Sequence, residues 1–372
     1  MTVVYDATPL LLRSAGVKNY HHSLLIRLLP RMRPHRIELF PFLSSVGRNR
    51  HERSNFSRWA TVPRLGAVLA ANYLRLPLGW WAARRADLFH VTPHLQHPPY
   101  SRVRITSFVH DPTCLLMPEF HTASNVRYFR HFAKEVLPRL AGVIVPSHAV
   151  KRDLVEKLSV QEDKVAVIHH GVDQEFFPAG PLEPERRAFD LPERYILFLG
   201  AMEPRKNLAT LLEAYRQLPE ELRREYPLIV AGASGWKNRK LGAELEREKA
   251  RGVRSLGYVP PQALPLVYGG ASVFVFPSLY EGFGMPLLEA MAAGAPVVTS
   301  NVSAMPEVVG DTGLIVDPKS PAELAAAIER VLADRDLRAA LSEKGRQRAR
   351  EFTWEKTAIA TRQFFERVAG KC

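Results

Sequence analysis

The chain contains 372 residues, more than one ordinary hydrophobic core accommodates, so we expect two domains of about 150 to 200 residues each. Its two cysteines, Cys114 and Cys372, exclude a disulfide framework and a cysteine-based metal site, and a reducing cytoplasm is the simplest compartment. The formal net charge is +13, and residues 1 to 180 carry 24 Lys plus Arg against 13 Asp plus Glu, which favours anionic lipid, an acidic acceptor or nucleic acid as a partner, although a merely basic soluble surface explains the bias equally well.

The first half of the chain opens with the pattern of a Rossmann-like domain. Val3–Asp6 is predicted to be a buried strand, a loop follows, and an amphipathic helix is predicted from Lys18 to Arg31. Gly16 lies in this loop, where we expect it to face an interdomain cleft. The three-glycine fingerprint of a dinucleotide site is missing, so no dinucleotide cofactor is indicated. No charged start followed by an apolar run precedes the strand, which argues against a secretory signal.

The next segment has features of a membrane interface. Residues 44–58 form a polar, arginine-rich stretch that includes RNRHER, and a solvated loop is the simpler interpretation, with an acceptor-facing or lipid-facing loop as the alternative. Leu65–Ala83 is mostly apolar, but polar and helix-breaking residues interrupt it, which argues against a membrane-spanning helix. Trp80–Trp81 stand beside Arg84–Arg85, a grouping typical of membrane interfaces. Tryptophans buried between helices would give the same pattern.

Short apolar runs predict the remaining strands of the first half, which are Arg36–Leu43, Asp87–Val91, Arg104–Val109, Val143–Pro146 and Val165–His169. Ligands in open α/β sheets collect at the carboxyl ends of strands, so His110 is well placed to hydrogen-bond a ligand hydroxyl. A single histidine at such a position is more often structural. Ser147 is predicted to cap the helix after the fourth of these strands. His90, His94 and His97 lack both a regular helix and an acidic or cysteine ligand, so we assign them no metal.

A proline-rich, charged segment at residues 179–192 is predicted to link the two domains. The second domain opens with a strand at Tyr195–Gly200, and Asn207 is predicted to cap the helix that follows. Arg205 and Lys206 directly precede that helix, so fixed positive charge and the helix dipole coincide. An arginine can grip phosphate in a fork while a lysine acts as a movable point charge. The pair therefore predicts a diphosphate site, with two solvated loop cations as the alternative.

Residues 277–300, PSLYEGFGMPLLEAMAAGAPVVTS, combine a strand end, a glycine turn and a helix start. Gly282 and Gly284 permit a tight turn, Pro286 suits the first helical position, and Gly294 suits the helix end. A helix that begins after such a turn points its unpaired N–H groups at the turn. The pattern predicts an anion cradle built from three backbone amides, those near Phe283, Gly284 and Met285.

Two carboxylates flank this turn with seven residues between them. Glu281 precedes the helix, and Glu289 is predicted to lie in its first turn. Since carboxylates repel phosphate, we assign them hydroxyl partners, which ionised carboxylates accept well. A ligand with hydroxyls at both ends and phosphates between them is a nucleotide sugar. The alternative is an acidic loop followed by a glutamate that complements the helix dipole.

The segment EGFGMPLLE, with PS before it and EAMAAGAPVV after it, resembles the glutamate–seven–glutamate signature of the family-4 retaining glycosyltransferases. The likeness extends over nearly the whole chain. It implies an α/β GT-B fold with two Rossmann-like domains facing a cleft. The implied boundaries are an acceptor-side domain at 1–178, a linker at 179–192, a donor domain at 193–352 and a C-terminal helix at 353–372 that crosses back to the first domain.

The resemblance also implies residue roles. Glu281 would contact the donor sugar hydroxyls, and Glu289 would contact the nucleotide ribose. His110, in the segment His-Asp-Pro, would be the active-site histidine of the family. The remaining donor-side positions would be the backbone around Tyr258 and Val259 at the nucleobase, together with Gly16 and Ser147 along the cleft.

This chain departs from the family pattern at two places. Members often carry paired glycines where this chain has Ala15 and Gly16. Members also commonly have an arginine directly after the strand glycine, where this chain has Ala201. Arg205 must therefore compensate, or the phosphate contacts differ in detail.

We predict a retaining glycosyltransferase that moves a hexose to a glycan or lipid-linked acceptor. Mannose from GDP-mannose is favoured, because EPRKN resembles a subgroup of bacterial polysaccharide mannosyl- and rhamnosyltransferases. Arg205, Lys206, Glu281 and His110 are the catalytic candidates, and neither a metal nor a cofactor is expected because protein cations stabilise the leaving diphosphate. The basic first domain predicts a cytoplasmic protein on the inner face of the plasma membrane. A nucleotide-sugar epimerase, a non-catalytic sugar-nucleotide sensor and a nucleic-acid-binding protein stay open as alternatives.

Overall fold

The computed structural model describes residues 1–12, 15–47, 54–77, 79–100, 103–177, 189–232 and 239–370. The chain forms two compact units, one made of Met1–Gly171 with Thr353–Cys372 and the other of Val172–Phe352. Most of the predicted linker, residues 179–188, lies outside the described residues, as does the stretch 48–53 of the predicted arginine-rich loop.

The first unit is built on a parallel sheet whose strand order is β2-β1-β3-β4-β5-β6. Its strands are β1 (Thr2–Asp6), β2 (Arg36–Phe40), β3 (Leu88–Val91), β4 (Arg104–Phe108), β5 (Gly142–Val145) and β6 (Val165–Val167). All six predicted strands are confirmed, with ends shifted by a few residues, because apolar runs buried on both faces are a clear signal for parallel strands. The chain order reverses beside β1, which makes the carboxyl ends of β1 and β3 a switch point of the sheet.

Helices cover the first sheet and connect its strands. They are α1 (Ala15–Arg31), α2 (Arg58–Tyr73), α3 (Trp80–Ala83), α4 (Thr113–Leu116), α5 (Ala123–His131, continued by a π-helical turn at Phe132–Val136) and α6 (His148–Leu158). Ser147 caps α6 as predicted, since its Oγ accepts a hydrogen bond from the Val150 N–H at 3.2 Å.

The second unit has a parallel sheet of order β12-β11-β10-β7-β8-β9. Its strands are β7 (Ile196–Leu199), β8 (Leu228–Ala231), β9 (Val253–Gly257), β10 (Val273–Phe276), β11 (Val297–Ser300) and β12 (Leu314–Val316). Its helices are α7 (Leu208–Gln217), α8 (Glu220–Glu225), α9 (Arg239–Glu248), α10 (Leu264–Gly269), α11 (Met285–Ala293), α12 (Met305–Val309), α13 (Pro321–Ala333) and α14 (Arg335–Ala349). Here the switch point lies between β7 and β10, so the loops after these two strands meet at one edge.

The last helix, α15 (Trp354–Ala369), returns to the first unit and packs along α1. Thr353 caps this helix, and Phe364 and Phe365 on it are buried. The Phe365 ring packs against the sheet of the first unit, where its centroid lies 5.2 Å from that of the His90 ring. Two Rossmann-like α/β units with a C-terminal helix on the first confirm the predicted fold class. No helix within the described ranges is both long and apolar enough to cross a bilayer.

Candidate active site

The carboxyl ends of β7 and β10 bring the two strongest sequence signals together. A single 3-10 turn, Pro204–Lys206, follows β7, and the glycine turn follows β10. The two loops are joined by the Leu279 N–H, which donates to the Arg205 carbonyl at 2.9 Å. Segments about 75 positions apart in the chain therefore form one site, because neighbouring parallel strands present their carboxyl ends at the same edge.

A buried ion cluster occupies this edge. Lys206 Nζ donates to Glu281 Oε1 at 2.7 Å, and Arg205 Nη1 lies 3.0 Å from Glu281 Oε2. The side chains are only 12%, 12% and 10% exposed for Lys206, Arg205 and Glu281. Arg205 also donates to the Tyr280 carbonyl and lies 3.7 Å from the Glu203 carboxylate. Charges can be buried this deeply because each has a partner of opposite sign.

The protonation states follow from this pairing. Burial by itself would raise the pKa of Glu281, but Arg205 and Lys206 outweigh it and lower that pKa to about 2. Burial lowers the pKa of Lys206, and Glu281 acts in the opposite direction. Glu281 is therefore ionised throughout the physiological pH range and holds both cations in place.

The predicted helix start is confirmed and shifted by one residue. Gly284 has a φ of 101° before α11 begins at Met285, and Gly294 has a φ of 86° at its end, both in the left-handed region that favours glycine. Pro286 occupies the second helical position rather than the predicted first. Phe283 is 3% exposed and packs against Phe352, so only its backbone can face a ligand.

Glu289 is not in the first turn of α11, as the sequence predicted, but is its fifth residue. Tyr268 OH donates to Glu289 Oε2 at 3.0 Å. Burial raises the pKa of Glu289 to about 8, Asp173 and Glu175 add to the rise, and Tyr268 opposes it. Glu289 lies beyond the first turn of α11, where the effect of the helix dipole falls off, so its position does not favour that alternative.

Asn207 does not cap α7 with a side-chain hydrogen bond, which corrects the prediction. Its backbone is left-handed with a φ of 59°, and its Nδ2 donates to the carbonyls of Pro277 at 3.0 Å and Pro318 at 2.7 Å. These contacts tie the Arg205 and Lys206 turn to the end of β10. The sequence could not reveal this role because both partners are more than 60 residues away.

Close backbone packing shapes the rest of this edge. A Cβ on Gly232, after β8, would lie 2.0 Å from the Gly200 carbonyl oxygen after β7, and Gly232 has a φ of 137°. The Gly232 N–H in turn donates to the Gly257 carbonyl at 2.7 Å. Tyr258 and Val259 follow β9 at the same edge, with Tyr258 43% exposed and Val259 buried. Their predicted contact with a nucleobase stays a prediction.

In the first unit, His110 follows β4 and packs among aromatic rings, with Phe108 at 4.4 Å and Tyr20 at 5.0 Å between ring centroids. Its Nε2 has no hydrogen-bond partner among the described residues. Burial lowers the pKa of His110 to about 4, with Asp111 opposing and His94 contributing. The ring is therefore neutral at physiological pH and keeps one nitrogen for a ligand.

Sequence inspection missed the polar groups around His110. Asp6 is fully buried and accepts hydrogen bonds from the N–H and Oγ1 of both Thr8 and Thr92. Thr92 Oγ1 contacts His94 Nδ1 at 3.2 Å, and Tyr5 OH contacts His21 Nδ1 at 2.6 Å. The placement of all thirteen histidines in the first half was the one sequence signal for this cluster.

The two other first-unit positions differ from expectation in their surroundings. Gly16 lies in the first turn of α1 rather than in a loop, since the helix begins at Ala15. A Cβ on Gly16 would meet nothing within 4 Å. Ser147 is fully buried and engaged in capping α6. Their roles in donor binding stay predictions.

Comparisons with known sequences address the whole chain. The family model described as Glycosyltransferase Family 4 matches residues 16–176, and that described as Glycosyl transferases group 1 matches residues 181–348. O-antigen chain mannosyltransferase B of Escherichia coli is 32% identical over 375 residues, covering 97% of this chain and 98% of its own. The serotype-specific mannosyltransferase WbdA of Escherichia coli is 29% identical over 293 residues, covering 76% of this chain and 35% of WbdA.

Solved structures share the fold at low identity. Sucrose-phosphate synthase from Thermosynechococcus elongatus has a TM-score of 0.75 at 20% identity, with 100% of both chains covered. Anabaena Alr3699/HepE, crystallised with UDP and glucose, has a TM-score of 0.72 at 18% identity, also with 100% of both covered. With the full-length match to O-antigen chain mannosyltransferase B, these findings set aside the epimerase and nucleic-acid-binding alternatives. The chain belongs to glycosyltransferase family 4, and it is a glycosyltransferase of the GT-B fold.

Proposed function

We propose that this glycosyltransferase moves mannose from GDP-mannose to a glycan or lipid-linked acceptor, with retention at the anomeric carbon. The observation that carries the proposal is the 32% identity to O-antigen chain mannosyltransferase B, which extends over 97% of this chain. The segment EPRKN adds support through its resemblance to the same subgroup.

The donor diphosphate would bind where Arg205 and Lys206 lie beside the amino end of α11. Both cations are already oriented by Glu281 and Asn207, so little rearrangement is needed when the phosphates arrive. As the sugar–phosphate bond breaks, negative charge grows on the diphosphate. Preorganised cations and helix amides stabilise that charge more than they stabilise the intact donor, and such electrostatic effects commonly dominate catalysis.

The two glutamates would hold the two ends of the donor. Glu281, ionised beside the cations, accepts hydrogen bonds from hydroxyls of the sugar ring. Glu289, held by Tyr268, accepts hydrogen bonds from the ribose. The positive charge that develops on the sugar during transfer lies close to the Glu281 carboxylate and is stabilised by it.

His110 would contribute on the acceptor side as a neutral hydrogen-bonding group. Its unpartnered Nε2 can accept a hydrogen bond from a hydroxyl of the sugar or the acceptor. We assign no side chain as general base, because the departing phosphate can take the acceptor proton on the same face.

The experiment is calorimetric titration of the full chain with GDP, UDP, ADP and dTDP and their sugars, first without added metal and then with Mg²⁺. We expect GDP-mannose to bind tightest, Mg²⁺ to change little, and Lys206→Ala to weaken binding. Lys344→Ala, which removes an exposed lysine of the same unit, is the matched control and should bind as the unaltered protein does. Tighter binding of another nucleotide sugar would overturn the assignment of GDP-mannose.

We further propose a peripheral position on the inner face of the plasma membrane. The excess of Lys and Arg in residues 1–180 supports this, since anionic leaflets attract basic surfaces. Flotation with anionic and neutral vesicles tests it, and binding that ignores lipid charge at low salt would speak against it.

A further inference from the structure

Exposed apolar side chains of this protein concentrate in one stretch of the first unit. Among the described residues, twelve large hydrophobic side chains are exposed, and eight of them fall between residues 42 and 81. We call these eight the α2–α3 surface: Phe42, Trp59, Val62, Leu69, Tyr73, Leu74, Leu76 and Trp81. Trp59 is 91% exposed and Tyr73 is 87% exposed, so these large rings meet solvent almost completely. An apolar patch of this extent usually marks an interaction site.

The exposed apolar residues of α2 lie on an ordered helix that packs against the first unit. Its inner face packs through Val68 and Ala71, which are 2% and 4% exposed. Its outer face, which a surface helix normally fills with polar residues, carries Val62 and Leu69, 65% and 66% exposed. The helix is therefore apolar on both sides, and its outer side is available to a partner.

Arg64 links the loop after β2 to helix α2. It donates from Nε to the Pro41 carbonyl at 3.0 Å, from Nη2 to the Phe42 carbonyl at 3.3 Å and from Nη1 to the Ala60 carbonyl at 2.8 Å. These bonds fix the backbone of the loop after β2 against α2. Phe42, which is 70% exposed, is thus presented next to the helix by an ordered connection.

The charge of this region is mainly positive, although Glu38 lies beside Phe42, Trp81 and Arg85. From Ser54 to Ala86 the sequence contains five arginines and neither Asp nor Glu. Arg75, Arg84 and Arg85 are exposed. The Arg84 guanidinium carbon lies 4.7 Å from the centroid of the Trp80 ring and 5.1 Å from that of the Trp81 ring. Aromatic rings and arginines side by side suit the boundary between lipid headgroups and acyl chains.

Other occupants satisfy only part of this pattern. A second copy in a two-fold contact would set a mainly positive surface against itself, with more arginines than acidic groups to neutralise them. Nucleic acid would attract the arginines but would offer no apolar surface to aliphatic side chains such as Val62, Leu69 and Leu76. An anionic bilayer offers both negative headgroups and an apolar interior.

We propose that the α2–α3 surface inserts into the headgroup region of an anionic bilayer and docks the first unit there. The inference rests on the peripheral membrane position proposed above and names the surface responsible for it. Phe42, Trp59, Leu69, Tyr73 and Trp81 enter the headgroup–acyl boundary, while Arg75, Arg84 and Arg85 pair with lipid phosphates.

The test measures partition of the full chain onto vesicles that contain about 30 mol % phosphatidylglycerol in phosphatidylcholine, a composition with a clear negative surface potential. We expect the double variant Leu69→Asp, Tyr73→Asp to lower the partition constant by roughly tenfold or more, since it removes apolar insertion and adds repulsion. The double variant Arg84→Ala, Arg85→Ala should lower it by about tenfold on anionic vesicles and hardly at all on neutral ones. Ile359→Asp is the matched control, because Ile359 is a 48% exposed aliphatic residue on α15, and it should bind as the unaltered protein does.

Equal partition of the Leu69→Asp, Tyr73→Asp variant and the unaltered protein would overturn the proposal. So would a concentration-dependent dimer in sedimentation that this variant abolishes, because the surface would then belong to a second copy. Calorimetry with GDP-mannose on the same variants separates this inference from the donor assignment. Unchanged donor binding with lost vesicle binding supports the surface, and vesicle binding by a protein that binds no sugar nucleotide leaves the surface standing while the donor proposal fails.

Discussion

Each unit is built on a six-stranded parallel sheet, yet the groups at the carboxyl edges of the two sheets differ in their ionisation. In the second unit, Arg205, Lys206 and Glu281 are ionised and paired. In the first unit, the corresponding edge is filled by imidazole and phenol groups, and burial lowers the pKa of His110 to about 4 and that of His21 well below its ordinary value. Burial is common to both edges, but only in the second do counter-charges outweigh it, because the effect of Asp111 on the His110 pKa is smaller than the effect of burial.

The difference suggests a division of labour. An edge of fixed, partnered charges is suited to a highly charged ligand, because its cations need no reorganisation when a diphosphate arrives. An edge of neutral donors and acceptors is suited to hydroxyl groups, which gain little from a full charge. We therefore propose that the donor binds to the second unit and the acceptor hydroxyl to the first, and the following predictions test this proposal.

The largest effect is expected for Glu281→Gln. Loss of the carboxylate removes the counter-charge of two buried cations and the partner of the sugar hydroxyls, so kcat/KM should fall by about 10²- to 10³-fold. Initial-rate kinetics measure this, and Glu343→Gln, an exposed glutamate of the same unit, serves as the control. Activity within twofold of the unaltered protein would remove Glu281 from the mechanism.

Gly232→Ala should cost about 2 to 4 kcal/mol in the free energy of unfolding, because its Cβ would collide with the Gly200 carbonyl and its backbone is in the left-handed half. Urea unfolding measures the change. Gly242→Ala is the matched control in α9, where a Cβ meets nothing within 4 Å, and it should be neutral or stabilising by up to about 1 kcal/mol. A similar change in both variants would show that close packing of the strand ends is unimportant.

His110→Asn should reduce transfer by about tenfold to a hundredfold, as expected for loss of one positioned hydrogen-bonding group, while the Kd for the donor nucleotide stays unchanged. Lys206→Ala should instead raise the Kd for the donor nucleotide. Parallel calorimetry and kinetics on both variants decide the matter. A loss of nucleotide affinity in His110→Asn would contradict the division between the units.

The smallest effect concerns pH. The pKa of Glu289 is raised to about 8, so its acceptor form increases as the pH rises through that value. We expect nucleotide affinity to improve several-fold between about pH 6.5 and 9, and Glu289→Gln to lose this dependence. The sign for stability is opposite: the protonated group is favoured in the fold, so its contribution is full below the ordinary glutamate pKa and is lost as the pH rises through about 8.

Glu281 provides an internal contrast for that measurement. Its lowered pKa means that its stabilising contribution is present above the ordinary glutamate pKa and is lost only as the pH falls towards about 2. Calorimetric titrations between about pH 6.5 and 9 therefore report Glu289 without interference from Glu281. A flat pH profile for nucleotide binding in the unaltered protein would argue against a ribose contact through Glu289.

Local pattern accounts for what was predicted well. The strands of the first sheet and the first strand of the second were found because buried parallel strands are continuous apolar runs. The start and end of α11 were found because Gly284 and Gly294 permit backbone angles that other residues avoid. Positions within helices were less secure. Glu289 and Gly16 were misplaced because a shift of a residue or a few in the helix start changes the turn on which a side chain lies.

Contacts between distant segments could not be predicted. Asn207 has a sequence position that suits a helix cap, yet its side-chain Nδ2 donates hydrogen bonds to the carbonyls of Pro277 and Pro318, which are 70 and 111 residues away. The sequence of α2 is mostly apolar, which is compatible with burial on all sides. Only the packing of the helix in the structure showed which side faces solvent.

The sequence by itself determined the α/β class, the order of the elements and the residue types needed for a nucleotide-sugar site, because hydrophobic period, glycine and proline act locally. The tertiary structure decided that Arg205, Lys206 and Glu281 form one buried cluster, that His110 is neutral with a free Nε2, and that an apolar helix face stays exposed. These properties depend on distances between residues far apart in the chain and on the burial that folding creates, and both quantities are absent from a linear pattern.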